Sequence, residues 1–234
     1  LEASLRVIRE ELIPEIKALC SQPLVPPVAT RSWLHQTLSE RDRRIDLVAI
    51  AASTGGPNAL TELFTTLPAD FPVPILIVQH MPPMFTRLLA ERLSAKSAIR
   101  VEEGRTGESL RPGQAWIAPG DYHMLLTRDS TGLRLVLNQD APENSCRPAA
   151  DVLFRSVAHT VGPNALAVVL TGMDQDGFRG CEAIHEAGGL VLAQDEVSSV
   201  VWGMPGIVAR AGLAEKVLPL SLIGPEIVRR VRTG

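Results

Sequence analysis

Val48-Ala49-Ile50-Ala51-Ala52-Ser53-Thr54-Gly55-Gly56-Pro57 decides how this chain is read. The apolar run from Leu47 to Ala52 has the character of a buried strand, and it delivers a serine to a turn of two glycines and a proline. The segment that follows, Asn58 to Leu67, has helical spacing. A hydroxyl at a strand end, facing a helix N-terminus, meets backbone N–H groups that lack intrahelical partners, at the positive end of the helix dipole. Such a place suits an anion or an oxyanion that develops during a reaction. Ser53 is therefore the first candidate for a nucleophile. The same turn also suits a bound phosphate, or a plain reversal of the chain, as glycine-rich strand-to-helix turns do in many α/β folds. A base and an acid elsewhere have to decide between these readings.

Composition narrows the classes. A chain of 234 residues, 45% hydrophobic and 21% charged, holds one large domain or a domain with an appendage. Its net charge of −3 gives no basic footprint, so nucleic acid is not an expected partner. No apolar run is long enough to span a bilayer, and membrane insertion is not expected. The three cysteines, Cys20, Cys146 and Cys181, are scattered and odd in number. They fit buried thiols in a reducing, cytoplasmic compartment better than a disulfide framework. No H-x-x-x-H or C-x-x-C spacing occurs, so neither a metal nor a cofactor is expected. With aromatic residues at 4%, the core has to be aliphatic.

Residues 1–20 place Leu1, Leu5, Ile8, Leu12, Ile16 and Leu19 on one helical stripe, interrupted by Pro14. Residues 21–44, which begin Ser21-Gln22-Pro23-Leu24-Val25-Pro26-Pro27 and end in a charged stretch, read as a linker. An amphipathic helix ahead of a linker, in a chain starting at Leu1, is expected to be the end of a preceding domain that is absent. Packing on the main domain, or self-pairing, is the alternative. The main domain is expected over residues 45–234.

There, strand-like runs at Ile45–Ala52, Pro74–Gln79, Ala115–Ala118, Ala165–Thr171 and Leu190–Ala193 alternate with helix-like segments at 58–67, 83–95, 149–160, 178–187 and 221–232. Short, fully apolar strands between amphipathic helices predict an α/β fold, a mostly parallel sheet with helices on both faces. Met124–Thr127 and Leu133–Leu137, joined by Arg128-Asp129-Ser130-Thr131-Gly132, predict an antiparallel hairpin.

Functional residues of open α/β sheets gather at the carboxyl ends of the strands. Besides Ser53, that rule selects His80, where Ile75–Gln79 runs into two prolines, and the turn Gly172-Met173-Asp174-Gln175-Asp176-Gly177 after Ala165–Thr171. Serine, histidine and aspartate are the composition of a hydroxyl nucleophile, its base and the group that orients the base. His35 lies in the linker, His159 and His185 lie within helices, and His123 follows a turn, where it lines a cleft or satisfies local hydrogen bonds. Asp174 and Asp176 compete for the acid, and either instead caps the helix that starts near Phe178. The chain order Ser…His…Asp differs from that of α/β-hydrolases, and no G-x-S-x-G elbow is present.

Six motifs in one order carry a family resemblance: Ala52-Ser53-Thr54-Gly55-Gly56; Gln79-His80-Met81-Pro82-Pro83; Ile117-Ala118-Pro119-Gly120-Asp121-Tyr122-His123-Met124; Arg147-Pro148 with Asp151-Val152-Leu153-Phe154; Leu170-Thr171-Gly172-Met173 with Asp176-Gly177; and Gly203-Met204-Pro205. Over about residues 45 to 232 the chain resembles the catalytic domain of the chemotaxis receptor methylesterases (CheB type). The resemblance implies a serine esterase that acts on glutamate γ-methyl esters in the cytoplasmic helices of chemoreceptors, deamidates certain receptor glutamines and so sets adaptation in two-component signalling. Position by position, it implies Ser53 as nucleophile, His80 as general base and Asp176, rather than Asp174, as the orienting acid. Backbone N–H groups at Thr54 and Met173 are then the candidates for holding the oxyanion. The family implies a receiver domain ahead of the catalytic domain, phosphorylated by an upstream histidine kinase and covering the active site until then. It usually has glycine where Asp174 and Met84 stand. A charged side chain at Asp174 alters the turn or repels an acidic substrate surface. Two readings from other classes stand beside this one, a phosphate- or nucleotide-binding module without hydrolysis and a catalytically idle regulator.

Overall fold

Strand β1 (Leu47–Ala52) is buried at every position, which requires neighbours on both edges and cover on both faces. The structure, a computed structural model, describes residues 44–232. The helix expected over 1–20 and nearly all of the linker expected over 21–44 lie outside the described residues. After β1 come α1 (Gly56–Thr65), β2 (Ile75–Gln79), α2 (Phe85–Lys96), β3 (Arg100–Glu103) and β4 (Gln114–Ile117). The hairpin strands β5 (His123–Asp129) and β6 (Gly132–Asn138) follow, then α3 (Ala150–Val161), a 3₁₀ turn (Gly162–Asn164) and β7 (Ala165–Val169). The chain ends through α4 (Phe178–Glu186), β8 (Leu190–Gln194), α5 (Met204–Arg210), β9 (Lys216–Leu218) and α6 (Leu220–Arg232).

Seven strands form one sheet in the order β3-β4-β2-β1-β7-β8-β9, and β5-β6 form a separate pair. Every pairing in the large sheet is parallel. The β5–β6 pair is antiparallel, so the expected architecture is the observed one. The chain winds outward from β1 in one direction through β2, then returns to its other edge with β7. The strand order therefore reverses beside β1, and in open α/β sheets ligands bind at such a switch point.

Side-chain alternation divides the core into two layers. Val48, Ile50 and Ala52 of β1 join α1, α2 and α6 through Leu60, Leu63, Leu89, Leu93, Ile223 and Ile227. Leu47, Ala49 and Ala51 face the opposite way, toward Leu153, Phe154 and Val157 of α3, Ile184 of α4, Val208 of α5 and Leu126 and Leu135 of the hairpin.

Boundaries and small elements depart from expectation. β1 begins at Leu47 rather than Ile45 and β7 ends at Val169 rather than Thr171, because backbone pairing stops before the apolar run does. α1 starts at Gly56, two residues ahead of the expected 58, and stops at Thr65. α2 starts at Phe85, two residues after the expected 83, since Pro82 and Pro83 hold the chain extended. The hairpin strands reach Asp129 and Gly132, leaving a tighter turn than expected. β3, β9 and α5 have no counterpart in the expected elements. β3 (Arg-Val-Glu-Glu) and the three-residue β9 are sheet edges with little apolar signal, and α5 is seven residues containing proline and glycine.

Candidate active site

Parallel registry brings three strand ends together. Ala52 pairs with Gln79 across β1–β2, so Ser53 and His80 occupy the next rung of neighbouring strands. The His80 N–H donates to Ala52 O at 3.1 Å and the Ser53 N–H to Thr171 O at 3.1 Å. Gln79 is buried, and its Nε2 donates to Ser53 O (3.0 Å) and to His80 O (3.1 Å). One side-chain amide thus fastens the backbone of both residues. Gly55 caps α1 with φ +84°, a left-handed conformation that favours glycine. At Gly172 the constraint is contact: a Cβ there would stand 2.8 Å from Ser53 Cβ, so only glycine lets the turn after β7 close on the serine. Among the described residues the Ser53 hydroxyl has no hydrogen-bond partner.

His80 is held from the other side. Its Nε2 lies 2.7 Å from Asp176 Oδ2, and Asp176 is fully buried. That carboxylate also accepts from the Ala150 N–H (2.6 Å), the Asp151 N–H (3.0 Å) and Asn144 Nδ2 (2.9 Å). Ala150 and Asp151 open α3, so Asp176 caps that helix from outside and sits at its positive end. Asp151 returns the arrangement by accepting from the Gly180 N–H at 2.7 Å in the first turn of α4. Asn144 bridges the two carboxylates, reaching Asp151 Oδ2 at 2.8 Å.

These contacts fix the charge states. Burial resists ionisation of Asp176, but the His80 bond, the two backbone donors and the imidazolium charge outweigh it and hold the carboxyl below its ordinary range. Burial likewise resists charging of His80. The bond to Asp176 overrides it, with contributions from the Cys146 contact and the Asp176 charge, and the imidazole is pushed up to about 9. For Asp151 burial dominates and raises the carboxyl.

Of the competing aspartates, Asp176 is the one bonded to His80. Asp174 is exposed with φ +85°. Neither caps α4, whose N-cap is Gly177 without a side-chain bond. Among the described residues the Thr54 and Met173 N–H groups donate to no backbone or side-chain acceptor. Thr171 Oγ1 donates to Thr54 O at 3.0 Å and anchors that turn. His123 is a buried structural residue, its Nδ1 accepting from the Ala149 N–H and its Nε2 donating to Ala141 O. His159 and His185 lie exposed on α3 and α4, and His35 is outside the described residues. Sequence reasoning gave no role to Gln79, Asn144, Asp151 or Cys146. Cys146 is half-buried, with Sγ 3.6 Å from His80 Nδ1. Asn144 and Cys146 lie in an irregular turn without periodicity, and only the neighbouring Arg147-Pro148 hinted at its importance.

Set against known proteins, residues 48–227 match the model of the CheB methylesterase family. The chain is 49% identical to a protein-glutamate methylesterase/protein-glutamine glutaminase of Trichodesmium erythraeum, over 98% of this chain and 67% of the relative. It is 52% identical to one of Nocardioides sp., over 97% and 64%, and 50% identical to one of Maricaulis maris, over 82% and 48%. It therefore spans about half to two thirds of the length of these curated relatives. The solved catalytic domain of Thermotoga maritima CheB methylesterase superposes with a TM-score of 0.78 at 39% identity, covering 79% of this chain and 98% of that one. The family match over most of the described domain, the identities to these relatives and the shared fold agree, and the chain belongs to the CheB methylesterase family.

Proposed function

We propose that this domain is a serine esterase that hydrolyses glutamate γ-methyl esters on the cytoplasmic helices of chemoreceptors and deamidates receptor glutamines, with Ser53 as nucleophile, His80 as general base and Asp176 as the acid orienting it. The observation that carries the reading is the 2.7 Å bond between His80 Nε2 and buried Asp176, one rung from a serine whose hydroxyl is uncommitted. A phosphate-binding module would have no use for that pair.

The chemistry follows from the ring's orientation. Asp176 holds the proton on Nε2 and leaves Nδ1 to receive the Ser53 proton as the hydroxyl attacks the carbonyl. The tetrahedral oxyanion is stabilised by the Thr54 and Met173 N–H groups, and losing one such donor typically costs about 10²–10³ in rate. His80 returns its proton to the leaving group, methanol from an ester or ammonia from an amide. Water then hydrolyses the acyl-enzyme by the same relay. Exposed Met84, Phe85, Leu88, Tyr122 and Met173 stand on loops and a helix turn that follow strand ends, an apolar rim suited to a protein helix as substrate. Residues 1–20 and 21–44 are proposed as the end of a receiver domain and its linker, and a histidine kinase as the source of its phosphoryl group. No described helix is long and apolar enough to cross a membrane, and the receptor substrate puts the enzyme in the cytoplasm.

A second reading has its own observation. Cys146 Sγ, not Ser53 Oγ, is the group 3.6 Å from Nδ1, as a thiol nucleophile would be. Methanol release from methylated receptor fragments separates the two. Ser53→Ala is expected to abolish release and Cys146→Ala to retain it; the reverse pattern would make the thiol the nucleophile.

A further inference from the structure

Three side chains with metal-binding atoms converge beside Ser53 from three separate loops. An imidazole nitrogen of His80, Sγ of Cys146 and a carboxylate oxygen of Asp174 lie within 4.8 Å of one another. His80 follows β2, Cys146 precedes α3 and Asp174 follows β7, so no sequence spacing announces the set. Nε2 of His80 is engaged by Asp176, and Nδ1 stands 3.6 Å from Sγ. Zinc bonds of about 2.3 Å to sulfur and about 2.0 Å to imidazole nitrogen, at a tetrahedral angle, hold S and N about 3.6 Å apart. Two of the three ligands are thus already at the required separation. Asp174 is exposed, and rotation of its side chain supplies the remaining closure.

We propose that His80 Nδ1, Cys146 Sγ and the Asp174 carboxylate form an inhibitory site for Zn²⁺, with the fourth position open toward the substrate cleft. A second observation points the same way. Histidines that bind metal characteristically donate their other N–H to a carboxylate, which fixes the tautomer and raises ligand basicity. Asp176, itself held by two backbone N–H groups and Asn144, does this for His80. The donor set also selects the ion: thiolate and imidazole suit Zn²⁺, whereas Mg²⁺ and Ca²⁺ require oxygen ligands. On binding, the Cys146 S–H bond and the Nδ1–H bond of the charged ring break, the S–Zn and N–Zn bonds form and both protons pass to solvent, with no change in oxidation state. The Nδ1 lone pair becomes the bond to zinc and can no longer accept the Ser53 proton. That inhibitory consequence rests on the esterase reading above; the binding itself does not.

The test uses the tag-free chain titrated with Zn²⁺ against a chromophoric chelator, with Mg²⁺ as control and receptor methyl-ester hydrolysis measured in parallel. One Zn²⁺ per chain is expected at this site, with affinity falling at least tenfold in Cys146→Ser and in the surface variant Asp174→Asn, and by about 10- to 100-fold in Asp176→Asn. Co²⁺ in place of Zn²⁺ should give a thiolate-to-cobalt charge-transfer band that Cys146→Ser lacks. Zinc should suppress hydrolysis by the parent and a chelator restore it, while the ratio of rates with and without zinc stays near one in Cys146→Ser. Zinc affinity unchanged in both Cys146→Ser and Asp174→Asn, or no saturable binding, overturns the proposal. Cysteine-dependent zinc binding by a chain that hydrolyses no ester would keep the metal site and remove the esterase reading instead.

Discussion

At the scale of the residue, His80 carries opposed demands. A general base has to be neutral to accept a proton, yet the Asp176 contact pushes this imidazole up to about 9. Below that pH the resting ring is charged, and the fraction able to take the Ser53 proton grows as pH rises. We therefore expect kcat/KM for ester hydrolysis to climb through neutrality and level off only near pH 9, since this parameter reports the free enzyme's base. Asp176→Asn removes the carboxylate and leaves burial, which favours the neutral ring, so the limb should move to lower pH. The plateau should fall by roughly 10²–10⁴, because the ring loses its tautomer and its orientation. Asp174→Asn, at an exposed carboxylate that lies near His80 but makes no hydrogen bond to it, should leave both limb and plateau close to the parent. Equal losses in the two variants would leave Asp176 without a claim to the acid's place. The pH profile of each variant, followed by methanol release, checks these outcomes.

At the scale of the element, legibility followed burial. β1, β2 and β7 are buried at every position because helices cover both faces, and all their residues but Gln79 are apolar, so their runs could be read directly. β3 buries only Val101 among charged neighbours, and a lone apolar residue carries no period. The caps were invisible for another reason: Asp176 caps α3 and Asp151 caps α4, helices to which they do not belong, across more than twenty residues of chain. Local capping rules see only the residue next to the helix. The two positions at which the sequence resemblance leads one to expect glycine are informative here. Met84 (φ +75°) and Asp174 (φ +85°) both have positive φ, where an L-residue costs roughly 1–2 kcal/mol. Met84 is 65% exposed, so its side chain returns little burial to offset that cost. Met84→Gly is expected to raise the unfolding free energy by about 1 kcal/mol while Met84→Ala leaves it near the parent. Urea unfolding of the three proteins decides it, and a destabilised glycine variant would mean that Met84 packing outweighs its backbone.

At the scale of the whole molecule, the site is where the sheet reverses its order, and distant parts of the chain meet over one ion pair. Ser53 and His80 were readable because strand ends are local. Cys146 and Asn144 were not, because their place is set by the loop between the hairpin and α3, which Arg147 pins by donating to Asp121 Oδ1 and to the carbonyls of Gln139 and Asp140. The pair also couples the fold to pH. The folded-state pKa of His80 lies above its ordinary 6.5, at about 9, so the folded protein binds the proton more tightly than the unfolded chain. Its contribution is complete below pH 6.5 and is lost as pH rises toward 9. Asp176 is displaced downward, so its contribution is present above the ordinary carboxylate range and is lost only in acid. Each tenfold change in proton affinity is worth about 1.4 kcal/mol, which makes the His80 displacement worth roughly 3 kcal/mol. The side chains are 11% and 0% exposed, and solvent screens them little. Unfolding free energies from urea titrations at pH 6.5 and 9.5 should therefore fall more steeply in the parent than in His80→Gln, by about that amount. Asp176→Asn should flatten the dependence as well, because without the carboxylate the folded state has no preference for the charged ring. A parent and a His80→Gln protein that lose stability in parallel would show that the imidazole is not held charged by the fold, and the expected alkaline limb of catalysis would have to be sought in another group.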